Sequence, residues 1–431
     1  MREINGIVSR AISRPPAAKA EEIAFMSAES PKVSIIIPCY NRADTIGETL
    51  ASVHEQTCAD WEALVIDDGS RDKSLEIAQQ WAARDRRIRA LTQTNEGPAA
   101  ARNRGVKESQ GKWLSFLDAD DLYPRQFVEH MLAAAEVRSS PQPHFCGMRL
   151  ITEDGKRVLG STAAQGSWGF KELAHTNPFA IHAVMVPRRV FTEIGTFDAS
   201  LVGCEDWDMW ARAARAGCEF VPVHGCEVDY RMRASSRSSD FLRRYKACLD
   251  ILHRTHRPDP RCMSPSSAYK DGCREEHLDE LCRMWALKMF ERSVVYGDRH
   301  AARSLLQCAG RGTPALSPDD LGNQLAGELF ALPTGFSRFA QNWNVIAELV
   351  QEFAQQEVGA RRAMKYSSDA LFSFANLVRR KWGMRLAWRG FASSLRSAPL
   401  ACASAAGRLG AQAVVRRLSN KSRGAAQNTS G

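Results

Sequence analysis

The sequence predicts an α/β protein in which a mainly parallel sheet is flanked by helices and followed by a mostly α-helical C-terminal region. Two observations lead to this prediction. Between residues 33 and 124, short apolar and β-branched runs alternate with helical stretches, which is the pattern of βαβ units. From about residue 245 the strand pattern stops, and helical stretches separated by Pro, Gly and Ser loops follow.

Each element follows from its local pattern. A buried strand is expected where a continuous apolar run ends in proline, at VSIIIP (33–38). Three further strands are expected, at EALVI (62–66), IRALTQ (88–93) and WLSFL (113–117). Helices are expected around Ile46, Leu50 and Val53, over about 72–84, over about 98–109, after Pro124, and at 245–256, 277–297 and 344–356.

Charge divides the chain unevenly. Residues 1–350 hold 44 Lys and Arg against 46 Asp and Glu, whereas residues 351–431 hold 14 against 3, so the net charge of +9 comes from the end of the chain. The predicted organisation is a flexible leader (1–30), an α/β domain (31–245), a helical region (246–370), and a basic amphipathic tail with a disordered end (371–431).

Composition is that of an ordinary globular protein, with 44% hydrophobic and 25% charged residues. We find neither an apolar stretch of the roughly 20 residues that a membrane span requires nor a signal-peptide-like run. The 12 cysteines are scattered and form no CxxC pair, which favours reduced thiols over a disulfide framework. These features predict a cytoplasmic protein.

Polar clusters follow three of the predicted strands: PCYNR (38–42), DDGS (67–70) and DADD (118–121). In open parallel sheets, ligands bind beyond the carboxyl ends of the strands, so these clusters are expected to meet at one site. The carboxylates of Asp118 and Asp120 repel each other unless a cation or proton intervenes, and a divalent ion shared with substrate phosphates is the usual solution. The alternative is that Asp121 only complements the dipole of the following helix.

The other clusters also have two interpretations each. Asp68 either caps the next helix or reads a base or ribose, and Arg102 is either a surface residue or a base or phosphate ligand. Asp206, beside Glu205, is either a general base or a helix-start acid. Trp207 and Trp210 either stack on a sugar or pack in the core.

The order and spacing of these clusters form a recognisable pattern. The stretch from VSIIIPCYNRADTIGETL through WEALVIDDGS and NEGPAAARNRG to WLSFLDADDLYP resembles family 2 glycosyltransferases, the inverting nucleotide-sugar enzymes of Rossmann-like GT-A fold. The downstream segment GTFDASLVGCEDWDMWARAARAG resembles the acceptor-side "ED" motif of that family. The resemblance covers about residues 31–240.

The resemblance implies a role for each matched residue. Nucleotide-sugar binding is implied for Pro38, Tyr40, Asn41, Asp67, Asp68, Arg102 and Asp118, with Asp67 and Asp68 reading the base, most often uracil, and Asp118 contacting the ribose. Asp120 would hold Mn²⁺ or Mg²⁺ at the diphosphate. Asp206 would be the catalytic base, with Glu205 positioning it or the acceptor.

One position departs from the family pattern. Many relatives carry a histidine near the metal or diphosphate, within "YR-x-H", whereas YRMRASSRS (230–238) has Arg233 there. Arginine cannot ligate a metal but can pair with a diphosphate. The expected reaction is a single displacement that inverts the anomeric carbon, from a UDP-sugar to a glycan or lipid-linked acceptor in bacterial-type surface polysaccharide synthesis.

Other functions fit the residues less well. Nucleotidyltransfer needs a Gly-rich phosphate loop after the first strand, where PCYNR stands, and phosphatase chemistry needs a nucleophile where that strand has proline. A non-catalytic nucleotide-sugar-binding or membrane-associated scaffold protein is the remaining alternative.

The tail carries a separate prediction. On a helix, the apolar residues Leu377, Met384, Trp388, Phe391 and Leu395 form one stripe beside the basic residues Lys381, Arg385, Arg389 and Arg396. This pattern is typical of a helix in peripheral contact with the anionic inner face of the cytoplasmic membrane; the alternative is that the apolar stripe packs on the preceding helices, and nucleic-acid binding is unlikely.

Overall fold

The computed structural model describes residues 30–137, 140–201, 203–233, 240–262, 265–273, 278–310, 317–319, 321, 343–358, 362–363, 365–367 and 369–373. Its strands are β1 (Val33–Cys39), β2 (Trp61–Asp67), β3 (Ile88–Thr92), β4 (Trp113–Phe116), β5 (His144–Ile151), β6 (Val158–Thr162), β7 (Val184–Pro187) and β8 (Val221–Arg231). Its helices are α1 (Ile46–His54), α2 (Ser74–Arg84), α3 (Pro98–Glu108), α4 (Phe127–Glu136), α5 (Phe170–Leu173), α6 (Arg188–Ile194), α7 (Glu205–Arg215), α8 (Phe241–Thr255), α9 (Leu278–Val295), α10 (Arg299–Gly310) and α11 (Trp343–Val358).

Within these ranges the strands form a single mixed sheet in the order β3-β2-β1-β4-β7-β5-β6, with β8 paired to β5. The pairs β3·β2, β2·β1, β1·β4 and β5·β8 are parallel, whereas β7 and β6 join antiparallel. The predicted α/β class with a mainly parallel sheet and a helical C-terminal region is confirmed. Because β1, β2 and β4 are parallel neighbours, their carboxyl ends meet at one edge of the sheet.

The predicted strands lie deep because both faces of the sheet are covered. Val33 to Ile37 and the whole of β2 are buried. Helix α3 lies unusually close to β1, since a Cβ added at Gly105 would stand 2.3 Å from Ile36 Cγ2. This close approach explains the run of small residues in α3, and it carries the polar side of the helix to the carboxyl edge of the sheet.

Strands β5 to β8 were not predicted. β5, β6 and β8 lack the continuous apolar run that marks β1 and β2, since β8 contains His224, Gly225 and Glu227 and β6 is largely exposed. β7 is apolar but only four residues long. These strands are held by pairing with β5 and β7, which is a property of the tertiary fold that local patterning does not record.

The helical region packs against the α/β part of the chain. Trp207 and Ala211 of α7 belong to the same buried cluster as residues of α8 to α11. Helix α8 runs continuously across the predicted boundary between residues 245 and 246. The two parts therefore share a core along α7 and α8.

The leader lies outside the described residues except for residue 30, and so does the tail beyond residue 373, including its two predicted stripes. In the described part of the chain, the helices are too short or too polar for any of them to cross a bilayer.

Candidate active site

The turns after β1 and β2 are tied to each other at the carboxyl edge of the sheet. Asn41 has a left-handed backbone, with φ of 51°, and its N–H donates to Ser70 Oγ over 3.0 Å. In return, the Arg71 N–H donates to Asn41 Oδ1 over 2.8 Å. These bonds fix the turn that also carries Pro38 and Tyr40, so the 41% exposed Tyr40 ring lies beside the edge of the sheet.

Asp68 has its carboxylate fully engaged by the protein. Its Oδ1 accepts from Gln93 Nε2 and from the Glu96 N–H, each over 2.9 Å, and its Oδ2 accepts from the Gly97 N–H over 2.8 Å. The side chain is buried. Asp68 therefore anchors the segment that leads into α3.

Asp67 is also buried, yet only one of its oxygens is used. Asp67 Oδ2 accepts from the Ser70 N–H over 3.2 Å and from Thr92 Oγ1 over 3.3 Å. Its Oδ1 has no hydrogen-bond partner among the residues that the structure describes. Among the described residues, both oxygens of Asp68 therefore have protein donors, whereas Asp67 has one oxygen without a protein donor.

The carboxylates that follow β4 are accessible to solvent. The side chains of Asp118 and Asp120 are 35% and 20% exposed. Asp120 Oδ2 accepts from Arg42 Nε over 3.1 Å. Burial and the charge of Asp118 together raise the pKa of Asp120, against the opposing charges of Arg42 and Arg233. The pair thus concentrates negative charge at a solvent-accessible strand end.

Asp121 points into the protein. Its Oδ1 accepts from the Arg231 N–H over 2.8 Å, and its Oδ2 lies 3.2 Å from Nδ1 of the buried His182. Burial, and then the charges of Asp120 and Asp118, raises the pKa of Asp121, while burial lowers the pKa of His182 to about 4. Both groups are driven towards their neutral forms, so Asp121 is part of the supporting structure.

Arg102 joins the DADD cluster to the ED motif. Its Nη2 donates to Asp118 Oδ1 and its Nη1 donates to Glu205 Oε1, both over 2.7 Å. Burial opposes its charge, but Asp118 and Glu205 outweigh that effect and raise the pKa of Arg102. Residues from α3, the end of β4 and the start of α7, up to 103 positions apart, are therefore held in one ionic bridge.

Asp206 is the partly exposed neighbour of Glu205 in the first turn of α7. Its Oδ2 accepts from Asn177 Nδ2 over 2.9 Å. Burial and the charge of Glu205 raise the pKa of Asp206 to about 6. A carboxylate whose pKa lies close to neutral pH and which reaches solvent has the properties of a general base.

The remaining residues of the ED motif serve packing. Asp208 is buried and paired with Arg212, Arg254 and Arg261, at 2.9, 3.2 and 2.8 Å, which excludes it as a competing base. Trp207 and Trp210 are 1% and 0% exposed. Core packing, one of the two interpretations of these tryptophans, is therefore the one that the structure bears out.

Arg233 lies on the same side of the sheet as Asp120. Its Nη2 donates to Asp44 Oδ2 over 2.6 Å, and its Nε lies 3.6 Å from Glu153 Oε1. The hydrogen bond to Asp44 raises its pKa, with smaller contributions from Asp120 and Glu153 after the opposing effect of burial. Its buried Nη1 has no hydrogen-bond partner in the described ranges.

Three residues of the site were not assigned a role from sequence. Arg42 pairs with Asp120, and Arg231 clamps the same loop by donating to the Asp120 carbonyl oxygen over 2.8 Å. Asn177 reaches Asp206 from a loop 29 residues away in sequence. Arg42 lies inside the PCYNR cluster and could have been suspected, and the Asn177-Pro178 dipeptide gives only a turn signal.

Comparison with known sequences identifies the family of the part of the chain that carries the strand-end clusters. The model of glycosyl transferase family 2 matches residues 34–142, which include the three strand-end clusters and Arg102. The chain carries a family 2 glycosyltransferase domain. The predicted resemblance is confirmed.

Two relatives place this glycosyltransferase domain among bacterial proteins. An uncharacterized glycosyltransferase of Rickettsia felis is 37% identical over 184 residues, 42% of this chain and 30% of its own length. A putative teichuronic acid biosynthesis glycosyltransferase of Bacillus subtilis, TuaG, is 29% identical over 211 residues, 49% of this chain and 82% of its own length. The chain thus spans less than a third of the Rickettsia protein.

Solved structures with a similar chain course include S. aureus TarS in complex with UDP-GlcNAc and a mannosyltransferase of Pyrobaculum calidifontis in complex with GDP-Man and Mn²⁺. TarS is 17% identical and covers 73% of this chain and 90% of its own, with a TM-score of 0.46. The mannosyltransferase is 16% identical and covers 80% of this chain and 88% of its own, with a TM-score of 0.44.

Proposed function

We propose that the protein is an inverting glycosyltransferase that moves a sugar from a UDP-sugar to a hydroxyl group of a glycan or lipid-linked acceptor in surface polysaccharide synthesis. One observation supports this more than any other. Arg102 bridges Asp118, in the cluster expected to bind the donor, and Glu205, the neighbour of the basic carboxylate Asp206. Such a bridge brings a donor-side group and an acceptor-side base into one site, as a displacement reaction requires.

The donor's uridine fits the turns after β1 and β2. Tyr40 and Pro38 offer an exposed ring and a partly exposed apolar edge, and Asn41 fixes the turn that carries them. Asp67 has one unused oxygen for a base N–H. Asp68 contributes indirectly, by holding the segment that leads to Arg102.

Proton removal is assigned to Asp206. The acceptor hydroxyl loses its proton to this carboxylate while its oxygen attacks the anomeric carbon from the face opposite to the departing diphosphate. The configuration at that carbon inverts. A pKa of about 6 leaves Asp206 ionised at neutral pH but still basic enough to accept the proton.

The donor set at the DADD cluster fits a divalent cation. The charge of Asp118 helps to raise the pKa of Asp120, and hard ions of the Mg²⁺ and Mn²⁺ type are bound by one or two carboxylates together with substrate phosphates. Asp120 would hold the ion, whose charge would stabilise the diphosphate leaving group. Arg233 and Arg42 place two positive charges of the protein near Asp120.

Calorimetry with free nucleotides tests the donor assignment. We expect UDP to bind more tightly than GDP or CDP, and Mn²⁺ to increase its affinity. Tighter binding of GDP or CDP would contradict the uracil assignment, and UDP binding that ignores Mn²⁺ and Mg²⁺ would contradict the metal assignment. A panel of UDP-sugars in a thermal shift assay then selects the donor, because a ligand at 100 times its dissociation constant stabilises by about 2.7 kcal/mol.

The membrane contact of the tail is proposed on sequence alone. We expect the full-length protein to sediment with anionic vesicles at low salt, since each basic residue near such a surface contributes about 1 kcal/mol. The matched variant is full-length protein in which Lys381, Arg385, Arg389 and Arg396 are all replaced by Gln. Equal sedimentation of both proteins would remove the tail from the proposal.

A further inference from the structure

The turn that follows α5 is held by three different helices. Three successive backbone carbonyls each accept one hydrogen bond from a side chain: Leu173 O from Trp207 Nε1 of α7 over 2.7 Å, Ala174 O from Thr255 Oγ1 of α8 over 2.9 Å, and His175 O from Trp285 Nε1 of α9 over 3.1 Å. The rings of His175 and His256 also stack, with centroids 5.5 Å apart.

Each of these donors comes from outside α5 and the turn itself. The last carbonyl groups of a helix receive no hydrogen bond from an N–H group of the same helix. Because α5 is only four residues long, it cannot fix the turn by itself. Two of the three donors belong to α8 and α9 of the helical region. The conformation of this turn therefore depends on the helical region being in place.

The turn leads directly to Asn177, whose orientation is determined. Pro178 restricts the backbone of Asn177 to extended conformations. Asn177 Oδ1 accepts from the Phe179 N–H over 3.2 Å, so its amide nitrogen faces the other way and donates to Asp206 Oδ2 over 2.9 Å. One oxygen of Asp206 is thereby held in a fixed direction, and the backbone N–H of Trp207 also donates to this carboxylate.

We propose that Asn177 is a positioning residue for the Asp206 carboxylate, and that the helical region holds Asn177 in place through the turn at residues 173–175. This inference rests on the proposed function, in which Asp206 is the catalytic base. It assigns the helical region a part in the reaction: Trp285 and Thr255 orient the base from 79 and 49 positions away in the chain.

The charged groups that face Asp206 come from three elements and the residue before α7. They are Glu205 on the same helix, Arg102 on α3, Arg244 on α8, and the thiol of Cys204. Asn177 adds a neutral donor that favours the ionised carboxylate, because a hydrogen bond to the charged form lowers its proton affinity. Loss of this donor should make Asp206 more basic, which a purely structural role of Asn177 would not do.

The first experiment measures UDP release against pH for wild type, Asn177→Ala and the isosteric Asn177→Asp. We expect the acidic limb of kcat to move up by about half a pH unit or more in Asn177→Ala. It should move further in Asn177→Asp, where a second carboxylate faces Asp206. In the pH range where kcat no longer changes with pH, kcat of the Asn177 variants should be about 10-fold below that of wild type, since misorientation of a catalytic group lowers rates by about this factor. The affinity for UDP with Mn²⁺ should stay within about twofold.

The second experiment separates the helical region from Asn177 itself. Trp285→Phe removes the indole N–H but keeps an aromatic ring, and we expect turnover to fall by about threefold or more with UDP affinity unchanged. Trp81→Phe is the control for the loss of an indole N–H, because Trp81 lies on α2 and its ring packs on His54. Equal turnover of the two variants would overturn the role of the helical region.

Asp206→Asn distinguishes this inference from the proposed function. If Asp206→Asn keeps near wild-type turnover, the assignment of the base fails. If Asp206→Asn is inactive but both Asn177 variants keep the wild-type pH profile, the base stands and the positioning role of Asn177 is overturned. An upward shift in Asn177→Asp supports the inference even if Asn177→Ala does not fold.

Discussion

The acidic pairs that follow β2 and β4 look alike in sequence and differ in physical state. Both come directly after a buried parallel strand at the same edge of the sheet. Asp68 accepts three hydrogen bonds from the protein and is buried, and Asp67 has one oxygen in use. Asp118 and Asp120 remain partly exposed and pair with Arg102 and Arg42 respectively.

The difference shows that some carboxylates at this edge of the sheet stabilise the fold, while others remain available to a ligand. A carboxylate whose oxygens are all occupied by protein donors has little left for a ligand, whereas two exposed carboxylates in mutual repulsion favour a cation. We therefore expect substitution of Asp68 to act mainly on stability, and substitution of Asp120 to act mainly on ligand binding.

The largest effect is expected for Asp120→Ala. Affinity for UDP in the presence of Mn²⁺ should fall by about 100-fold or more, because the variant loses the carboxylate proposed to hold the ion. Thermal stability should not fall, since the substitution relieves repulsion with Asp118. Calorimetry and thermal melts measure the two quantities, and Asp154→Ala, in an exposed loop, is the control. A variant that binds UDP and Mn²⁺ as wild type does would remove Asp120 from the metal site.

Asp68→Ala should act in the opposite way. The substitution leaves Gln93 Nε2 and two backbone N–H groups without their acceptor, and such losses lower the free energy of unfolding by about 2–4 kcal/mol in total. Urea denaturation measures this change. Asp68→Asn, which keeps one accepting oxygen, should lose less. Wild-type stability in both variants would show that Asp68 is not the anchor of the segment before α3.

Asp67→Asn tests whether Asp67 and Asp68 have different roles. The amide presents a donor where a base N–H is expected to find an acceptor, so UDP affinity should fall by about 10-fold with its metal dependence preserved. The loss of stability should be smaller than that of Asp68→Ala. If UDP affinity is unchanged in Asp67→Asn but reduced in folded Asp68→Asn, the two aspartates have the reverse roles.

The smallest effect is a gain in stability for Asp206→Asn. Because folding raises the pKa of Asp206 to about 6, the folded state favours its protonated form, and that contribution is lost as pH rises through 6. The neutral amide avoids the loss, so the variant should exceed wild type by about 1–2 kcal/mol above pH 7, after allowance for partial exposure, and match it near pH 4. Chemical denaturation at the two pH values tests the sign. A variant less stable than wild type above pH 7 would contradict the raised pKa.

Local pattern was sufficient to predict the first half of the sheet and the sheet edge at which the polar clusters meet. Apolar runs such as VSIIIP and WEALVID are long enough to identify β1 and β2, and strand ends in a parallel sheet must converge. The antiparallel strands β6 and β7 were not predicted because they are short and are stabilised by pairing with neighbouring strands. The Arg102 bridge could not be predicted either, since it joins residues from three elements through distances that sequence does not encode.

The same limit applies to individual side chains. The letters DDGS and DADD do not reveal that Asp68 is fully hydrogen-bonded while Asp120 is not. The two tryptophans of the ED motif were ambiguous in sequence, and burial decides between their interpretations. Asn177 carries no signal beyond a turn, because its role depends on three helices that meet at residues 173–175.

The central claim is that this site transfers a sugar with Asp206 as the base. The most direct test is the rate of UDP release from the UDP-sugar that stabilises the protein best, with Mn²⁺ present, for wild type and Asp206→Asn side by side. The proposal predicts metal-dependent release by wild type, and a rate about 10²–10⁴-fold lower in Asp206→Asn, with UDP affinity retained. Equal rates in the two proteins, or no release by a wild-type protein that binds the donor, would contradict it.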